Sequence, residues 1–343
     1  MSPAFLVYKA KAVDGIITSK YIKARVFLVL LVWEGNIMNY KVVVFGVKDA
    51  TEGVVDYIQS KLCKVDLIIT ISPEVTKKND IAGYKGLQPL KEKYGIEVYE
   101  AESYYLTDEK TQKFMQKNTF DIGISMGWQR LIPASVLGRF KYGVFGFHGN
   151  AGYLPFGRGR SPLNWSMILG DTRFNLNLFR YDENADSPNV FATEMFSINQ
   201  YDNIRTAQYK NLICSRRLIS KLIKAYKEDD IEITTESKDF DSWYSKRTEN
   251  DGKINFHDRT RNIYNLIRGV TAPFPGAFAM IGDQKVRVWE AHPFDEMIDF
   301  SGYEPGEVIG VFDKKPIVRT VDGSLLIDRY DADIDIKTGD ILK

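Results

Sequence analysis

From Lys41 to Phe147 the chain alternates short, almost wholly apolar runs with longer amphipathic ones, a rhythm that few folds accommodate. Lys41-Val-Val-Val-Phe-Gly46, Asp66-Leu-Ile-Ile-Thr-Ile71, Ile96-Glu-Val-Tyr99, Phe120-Asp-Ile-Gly-Ile-Ser125 and Tyr142 to Phe147 supply five strands, whose apolar residues follow one another as in strands buried on both faces. Helices are predicted from Thr51 to Leu62, from Lys85 to Tyr94, and from a Thr107 cap to Lys117; the first puts Val54, Val55, Ile58 and Leu62 on one side. Strand and helix in this order predict an α/β, doubly wound, Rossmann-like domain with a parallel sheet. Gly46-Val-Lys-Asp-Ala-Thr-Glu-Gly53, after the first strand, lacks the G-x-G-x-x-G spacing of a dinucleotide site.

Downstream the pattern changes. Phe174 to Tyr181 alternates, with Phe174, Leu176 and Leu178 to one side and Asn175 and Asn177 to the other. A strand at Phe191 to Ile198 follows, then a long helix from about Asp202 to Lys227, with Ile204, Leu212, Ile219 and Leu222 predicted buried. A charged stretch leads to a helix at Ile263 to Val270 and a turn at Pro273-Phe-Pro-Gly276. Short strands recur at Ala277–Ile281, Lys285–Trp289, Glu307–Val311, Pro316–Thr320 and Ser324–Arg329, the spacing of a small, OB-like β-barrel or a sandwich. The organisation expected is an extension of doubtful structure at 1–37, a catalytic domain at 38–230, a linker at 231–260 and a β-rich domain at 261–343. Met38 reads as a start, because a strand begins just after it. The apolar run Val26 to Trp33 is only eight residues, too short to cross a bilayer.

Two cysteines, Cys63 and Cys214, sit far apart in different contexts, which fits a reduced, cytoplasmic chain better than a disulfide framework. The 46 basic and 45 acidic residues leave a net charge of +1, which argues against a surface built to grip a nucleic acid. No metal-type Cys/His spacing and no G-x-S-x-G elbow occur.

Chemistry gathers in one stretch. The fifth strand ends at His148, one of three histidines in the chain. The loop that follows carries Arg158-Gly-Arg160 and closes on Ser161-Pro162, an N-cap and first-turn pair for a new helix, where guanidinium groups and free backbone N–H groups favour an anion. Asp182-Glu-Asn-Ala-Asp186 follows the next strand. A histidine and a carboxylate converging at the carboxyl edge of the sheet suit proton transfer near neutral pH, with Asp182, Glu183 and Asp186 as candidate partners for His148. A histidine at a strand end is more often structural than catalytic, and an acidic loop is more often simply solvated.

Gly143 to His148, Leu154-Pro155, Arg158-Gly159, Pro162-Leu-Asn-Trp165 and Asp182-Glu-Asn-Ala-Asp186, in that order, resemble the folate-dependent formyltransferase family. Phe120 to Trp128 and Leu131-Ile-Pro133 upstream, and Asp251 to Phe256 and Asn265 to Phe278 downstream, extend the resemblance over nearly everything from Met38 on. It implies transfer of a formyl group from N10-formyltetrahydrofolate, without a metal, to a primary amine. It also implies that His148 and Asp186 are the catalytic pair, and that Met126, Gly127, Trp128, Leu131, Ile132 and Asp182 bind the folate. Arg158 and Arg160 would hold a substrate phosphate. The near-neutral charge favours a nucleotide-linked amino sugar over methionyl-tRNA as acceptor; the sugar enzymes of the family are often homodimers, and no membrane partner is expected.

The pattern departs from the family at two points. The catalytic asparagine expected two residues before the histidine is Gly146, and the loop from His148 to Pro155 is two residues longer. An absent oxyanion donor is typically worth roughly 10²–10³ in rate. Asn150, two residues past the histidine, is the expected substitute; without one, the chain would be a non-catalytic folate or nucleotide-sugar binder.

Overall fold

The computed structural model describes residues 38–79, 81, 84–184, 186–235 and 240–343, and the 1–37 extension lies outside them. Asn39–Lys343 forms one unit. Its first strands and helices are β1 (Asn39–Phe45), α1 (Asp49–Lys61), β2 (Leu67–Ile71), α2 (Pro73–Asn79), α3 (Pro89–Tyr94), β3 (Glu97–Ala101), α4 (Glu109–Lys117), β4 (Thr119–Ser125), α5 (Ala134–Leu137) and β5 (Phe140–Asn150). Then come β6 (Arg158–Gly159), α6 (Pro162–Leu169), β7 (Arg173–Arg180), β8 (Val190–Ser197) and α7 (Ile204–Glu228).

One seven-stranded sheet runs β3-β2-β1-β4-β5-β7-β8. The first five strands are parallel, whereas β7 and β8 are antiparallel to their neighbours. Every residue of β2 is buried, because helices cover both faces. One face packs Val54, Val55 and Ile58 of α1 and Leu218, Ile219 and Leu222 of α7; the other packs Tyr104, Met115, Trp128 and Val136. The asparagines of β7, expected opposite its Phe and Leu residues, are there but buried as well.

Several boundaries differ from the sequence expectation for local reasons. α3 is a single short segment because Pro89 sets its first turn, leaving Lys85 outside. Asp108, not Thr107, caps α4: its carboxylate accepts from the Thr111 N–H at 2.8 Å. Asn203 caps α7, accepting from Arg205 and Thr206, and Leu212 is only half-buried. β5 is longer than expected and continues through His148 to Asn150.

The remaining elements are β9 (Trp243–Tyr244), α8 (Thr260–Val270), β10 (Ala277–Ile281), β11 (Gln284–Asp295), β12 (Val308–Phe312), β13 (Lys315–Arg319) and β14 (Ser324–Asp331). The last five strands form an antiparallel sheet in the order β10-β11-β14-β13-β12. Its two edges meet the same strip of chain: Lys343 exchanges backbone hydrogen bonds with Met280 of β10, while Asp340 and Gly339 bond Val308 of β12. Residues 339–343 thus lie along both edges of this sheet. Ile263, Ile267 and Val270 of α8 plug its apolar interior against Val286, Val288 and Ile327.

α8 also packs on the larger sheet unit. Asn164 of α6 donates to the Gly269 carbonyl at 2.8 Å. The largely buried Arg268 guanidinium donates to the Asn199 and Asp202 carbonyls ahead of α7, at 2.6 and 3.1 Å. Arg268→Leu keeps the stem and strands both carbonyls; a loss of about 1–3 kcal/mol is expected, read as a lower urea midpoint at unchanged slope.

Candidate active site

The β4–β5 parallel ladder stops at Ile124–Phe145. Beyond it β5 projects past the sheet edge, paired antiparallel with β7 from Phe145↔Arg180 to Asn150↔Asn175. Antiparallel partners share a face, so Val144, Gly146, His148 and Asn150 align with Tyr181, Phe179, Asn177 and Asn175. His148 therefore lies beyond the carboxyl ends of the parallel strands, where open α/β sheets place ligands.

His148 is buried, and both ring nitrogens face oxygen. Nδ1 lies 3.3 Å from Asp186 Oδ1. Nε2 lies 2.7 Å from the Gly157 carbonyl. Asp186 Oδ2 accepts from the Gly159 N–H at 3.1 Å. Burial alone would raise the Asp186 pKa, but the hydrogen bond and charge of His148, the Gly159 N–H and Arg158 outweigh it, and the carboxyl sits below its ordinary value.

Asp186 reaches this position from a left-handed backbone, φ 50°. Asp182 shapes the loop that permits it, accepting from the Asn184 N–H, the Ser187 hydroxyl and the Asn189 amide at 2.7, 2.6 and 2.9 Å. Those bonds outweigh its burial and hold Asp182 below the usual carboxylate range.

A cleft of about 560 Å³ opens beside the pair, a volume typical of small-molecule sites. Trp128, Leu131 and Ile132 form one wall and Phe179, Tyr181, Asp182 and Asp186 another, with Arg130 and Arg160 among the lining residues. Tyr104 accepts the Gln129 N–H at 2.9 Å and packs edge-on against Trp128, fixing the first wall. The Trp128 indole N–H is buried without an acceptor among the described residues. A larger cavity of about 820 Å³ adjoins the small barrel around Ile254, Phe256 and Leu342. Chemistry rather than size decides between them, since the His148–Asp186 pair adjoins only the first.

The expected folate residues divide. Trp128, Leu131, Ile132 and Asp182 wall the cleft, whereas Met126 and Gly127 do not. Met126 gives its carbonyl to the Thr51 hydroxyl at 2.6 Å, and Gly127, at φ 79°, makes the turn that aims Trp128. The expected anion residues divide too. Arg160 lines the cleft, whereas Arg158 pairs with Asp241 at 3.4 Å and lies over the Trp243 ring. Ser161 stands at the N-cap of α6 but in a left-handed conformation, and its side chain makes no capping bond.

Asn150 does not face the cleft. It is wholly buried, its amide N–H donates to the Phe156 carbonyl, and its carbonyl accepts the Gly152 N–H at 2.8 Å. The lengthened loop consumes this side chain.

Sequence reasoning missed Trp243 and Tyr244, which also line the cleft. As β9 they pair with β6, and Ser242 accepts the Gly157 N–H at 2.8 Å. Gly159 is required here: at φ 99°, any side chain on it would strike the Tyr244 carbonyl. The available signal was two adjacent aromatics in an otherwise charged stretch.

Residues 246–334 match a family model described as the formyl transferase C-terminal domain. Among solved structures, an N-formyltransferase from Helicobacter canadensis in complex with folinic acid and dTDP-3-aminofucose superposes with a TM-score of 0.61 at 18% identity, over 84% of this chain and 98% of that one. WlaRD, a sugar 3N-formyltransferase studied with dTDP and 5-N-formyl-THF, gives 0.61 at 16%, over 88% and 100%. HypX from Aquifex aeolicus with tetrahydrofolic acid gives 0.57 at 16%, over 86% of this chain, which spans only 44% of HypX.

The Asp186 carboxylate yields a test that needs no substrate. A depressed carboxyl adds stability in full above its unfolded value, near 3.8, and loses it as pH falls through the folded value. Asp186→Asn keeps a residue tolerant of the left-handed backbone. It should be less stable than wild type at pH 7, the gap narrowing below about pH 4, as thermal melts across pH would read. Residues 246–334 thus match a formyl transferase C-terminal domain, and the chain shares its fold with solved N-formyltransferases.

Proposed function

We propose that the protein transfers a formyl group from N10-formyltetrahydrofolate to the amino group of a nucleotide-linked amino sugar. The observation that carries this reading is the buried His148–Asp186 pair beside a cleft walled by aromatic and apolar side chains with arginines among its lining residues. The Trp128–Ile132 wall suits a flat heterocycle. Arg160 and Arg130 suit the carboxylates or phosphates of two anionic ligands. The near end-to-end match to two sugar N-formyltransferases supports the acceptor class.

In this reading the reaction needs three services. Asp186, kept ionised, accepts the proton that the attacking amine sheds as it bonds the formyl carbon. Asp186 also holds the His148 ring. His148 Nε2–H can reach a developing oxyanion once a substrate oxygen displaces the Gly157 carbonyl.

The net charge of +1 disfavours tRNA, whose phosphates reward a basic surface. The deciding assay offers formyltetrahydrofolate with a panel of nucleotide-linked amino sugars, and methionyl-tRNA alongside. A formamide should form on a sugar amine, fall about 10²–10⁴-fold in His148→Ala, and be insensitive to competing tRNA. Turnover with methionyl-tRNA alone would replace the acceptor, and folate binding without turnover of any amine would make the chain a binder. In the same assay Arg160→Ala should raise an apparent KM about tenfold, the worth of about 1.4 kcal/mol, with kcat little changed.

A further inference from the structure

The position where the family carries its catalytic asparagine, Gly146, is not an empty space. A Cβ built there would overlap the Tyr181 hydroxyl and the ring carbons beside it. Tyr181 stands opposite Val144, its N–H bonded to the Val144 carbonyl at 2.8 Å, and on the same face as Gly146 and His148. From there the ring leans diagonally along the ladder, a reach that suits an aromatic side chain. It places a hydroxyl group where an amide on residue 146 would begin. That hydroxyl is in the field of Asp186, and Tyr181 lines the same cleft.

We propose that the Tyr181 phenol is an oxyanion donor beside His148, taking over the hydrogen bond that an asparagine at position 146 would make. The idea rests on the formyl-transfer reading. As the amine nitrogen bonds the formyl carbon, the carbonyl π pair moves onto oxygen. The Tyr181 O–H donates to that oxygen without giving up its proton. When the pair returns, the bond from carbon to the folate nitrogen breaks, and that nitrogen takes up the proton Asp186 had accepted. Nothing else is consumed.

A donor in this role must stay protonated. Burial, partly offset by the Ser125 hydroxyl and reinforced by the Asp186 charge, pushes the Tyr181 pKa up to about 12. The competing amides on this face are worse placed. Asn150 is engaged in its loop. Asn177, directly opposite His148, has an unpaired amide N–H, but it is wholly buried and does not line the cleft.

The test is Tyr181→Phe, which keeps the ring and removes only the donor. With formyltetrahydrofolate and a nucleotide-linked amino sugar, kcat should fall about 10²–10³-fold, while KM for both substrates and the thermal midpoint stay near wild type. A second variant moves the donor back. Tyr181→Ala with Gly146→Asn should be at least tenfold faster than Tyr181→Ala alone, whereas Gly146→Asn in the wild-type background should be slower, because the two side chains claim one space.

Equal kcat in Tyr181→Phe and wild type would overturn the proposal and leave the formyl-transfer reading intact. So would a loss seen only in Asn177→Ala. If sugar amines are not formylated, the same variants are compared on release of the formyl group to small primary amines or to water. A loss in Tyr181→Phe there would uphold the donor and remove only the sugar. Absence of any formyl release by wild type would overturn both.

Discussion

The site exists because β5 outlasts its parallel partner. Past Phe145 the ladder with β4 has ended, and the strand runs on in a six-residue antiparallel pairing with β7, from Phe145 to Asn150. That pairing sets which side chains share a face, and a slip of one residue would send His148 to the opposite side. It also delivers the chain leaving β7 to the sheet edge, so the loop bearing Asp186 starts beside Val144. The histidine, the carboxylate and the cleft follow from one register.

Much of this was legible in the sequence. Apolar runs with consecutive Val and Ile marked the buried parallel strands, and the ordered motifs named His148 and Asp186. The same text could not show that the strand would continue beyond His148, because the residues beyond it, Gly149 and Asn150, carry no strand propensity of their own. Pairing with β7 imposes the extended form on them. For the same reason Asn150 looked available: its spacing put it on the right face, and only the folded loop shows its amide bonded to Phe156 and Gly152.

Other residues were invisible because long-range contacts define them. Trp243 and Tyr244 sit in a polar stretch that reads as a connection, yet their backbone pairs with Arg158 and Gly159 some 85 residues earlier in the chain (Gly157 to Ser242). Met126 and Gly127 matched the folate segment by position, but the turn between β4 and the Trp128 wall requires them for geometry. Arg158, paired with Asp241, acts on the Asp186 loop from behind and leaves Arg160 to the cleft.

Moving the donor from residue 146 to Tyr181 changes how the site is coupled. With an asparagine at 146, donor and histidine would share one strand, and the carboxylate alone would come from the loop. With a phenol at 181, the donor and Asp186 lie five residues apart on one segment, and His148 faces them from the other. Any displacement of the loop after β7 then shifts the proton acceptor and the oxyanion donor together, relative to a histidine fixed in the sheet. The Asp182 hydrogen bonds to Asn184, Ser187 and Asn189 hold that loop in one conformation. With Tyr181 as donor, rigidity of the loop rather than of the strand is what formyl transfer would depend on.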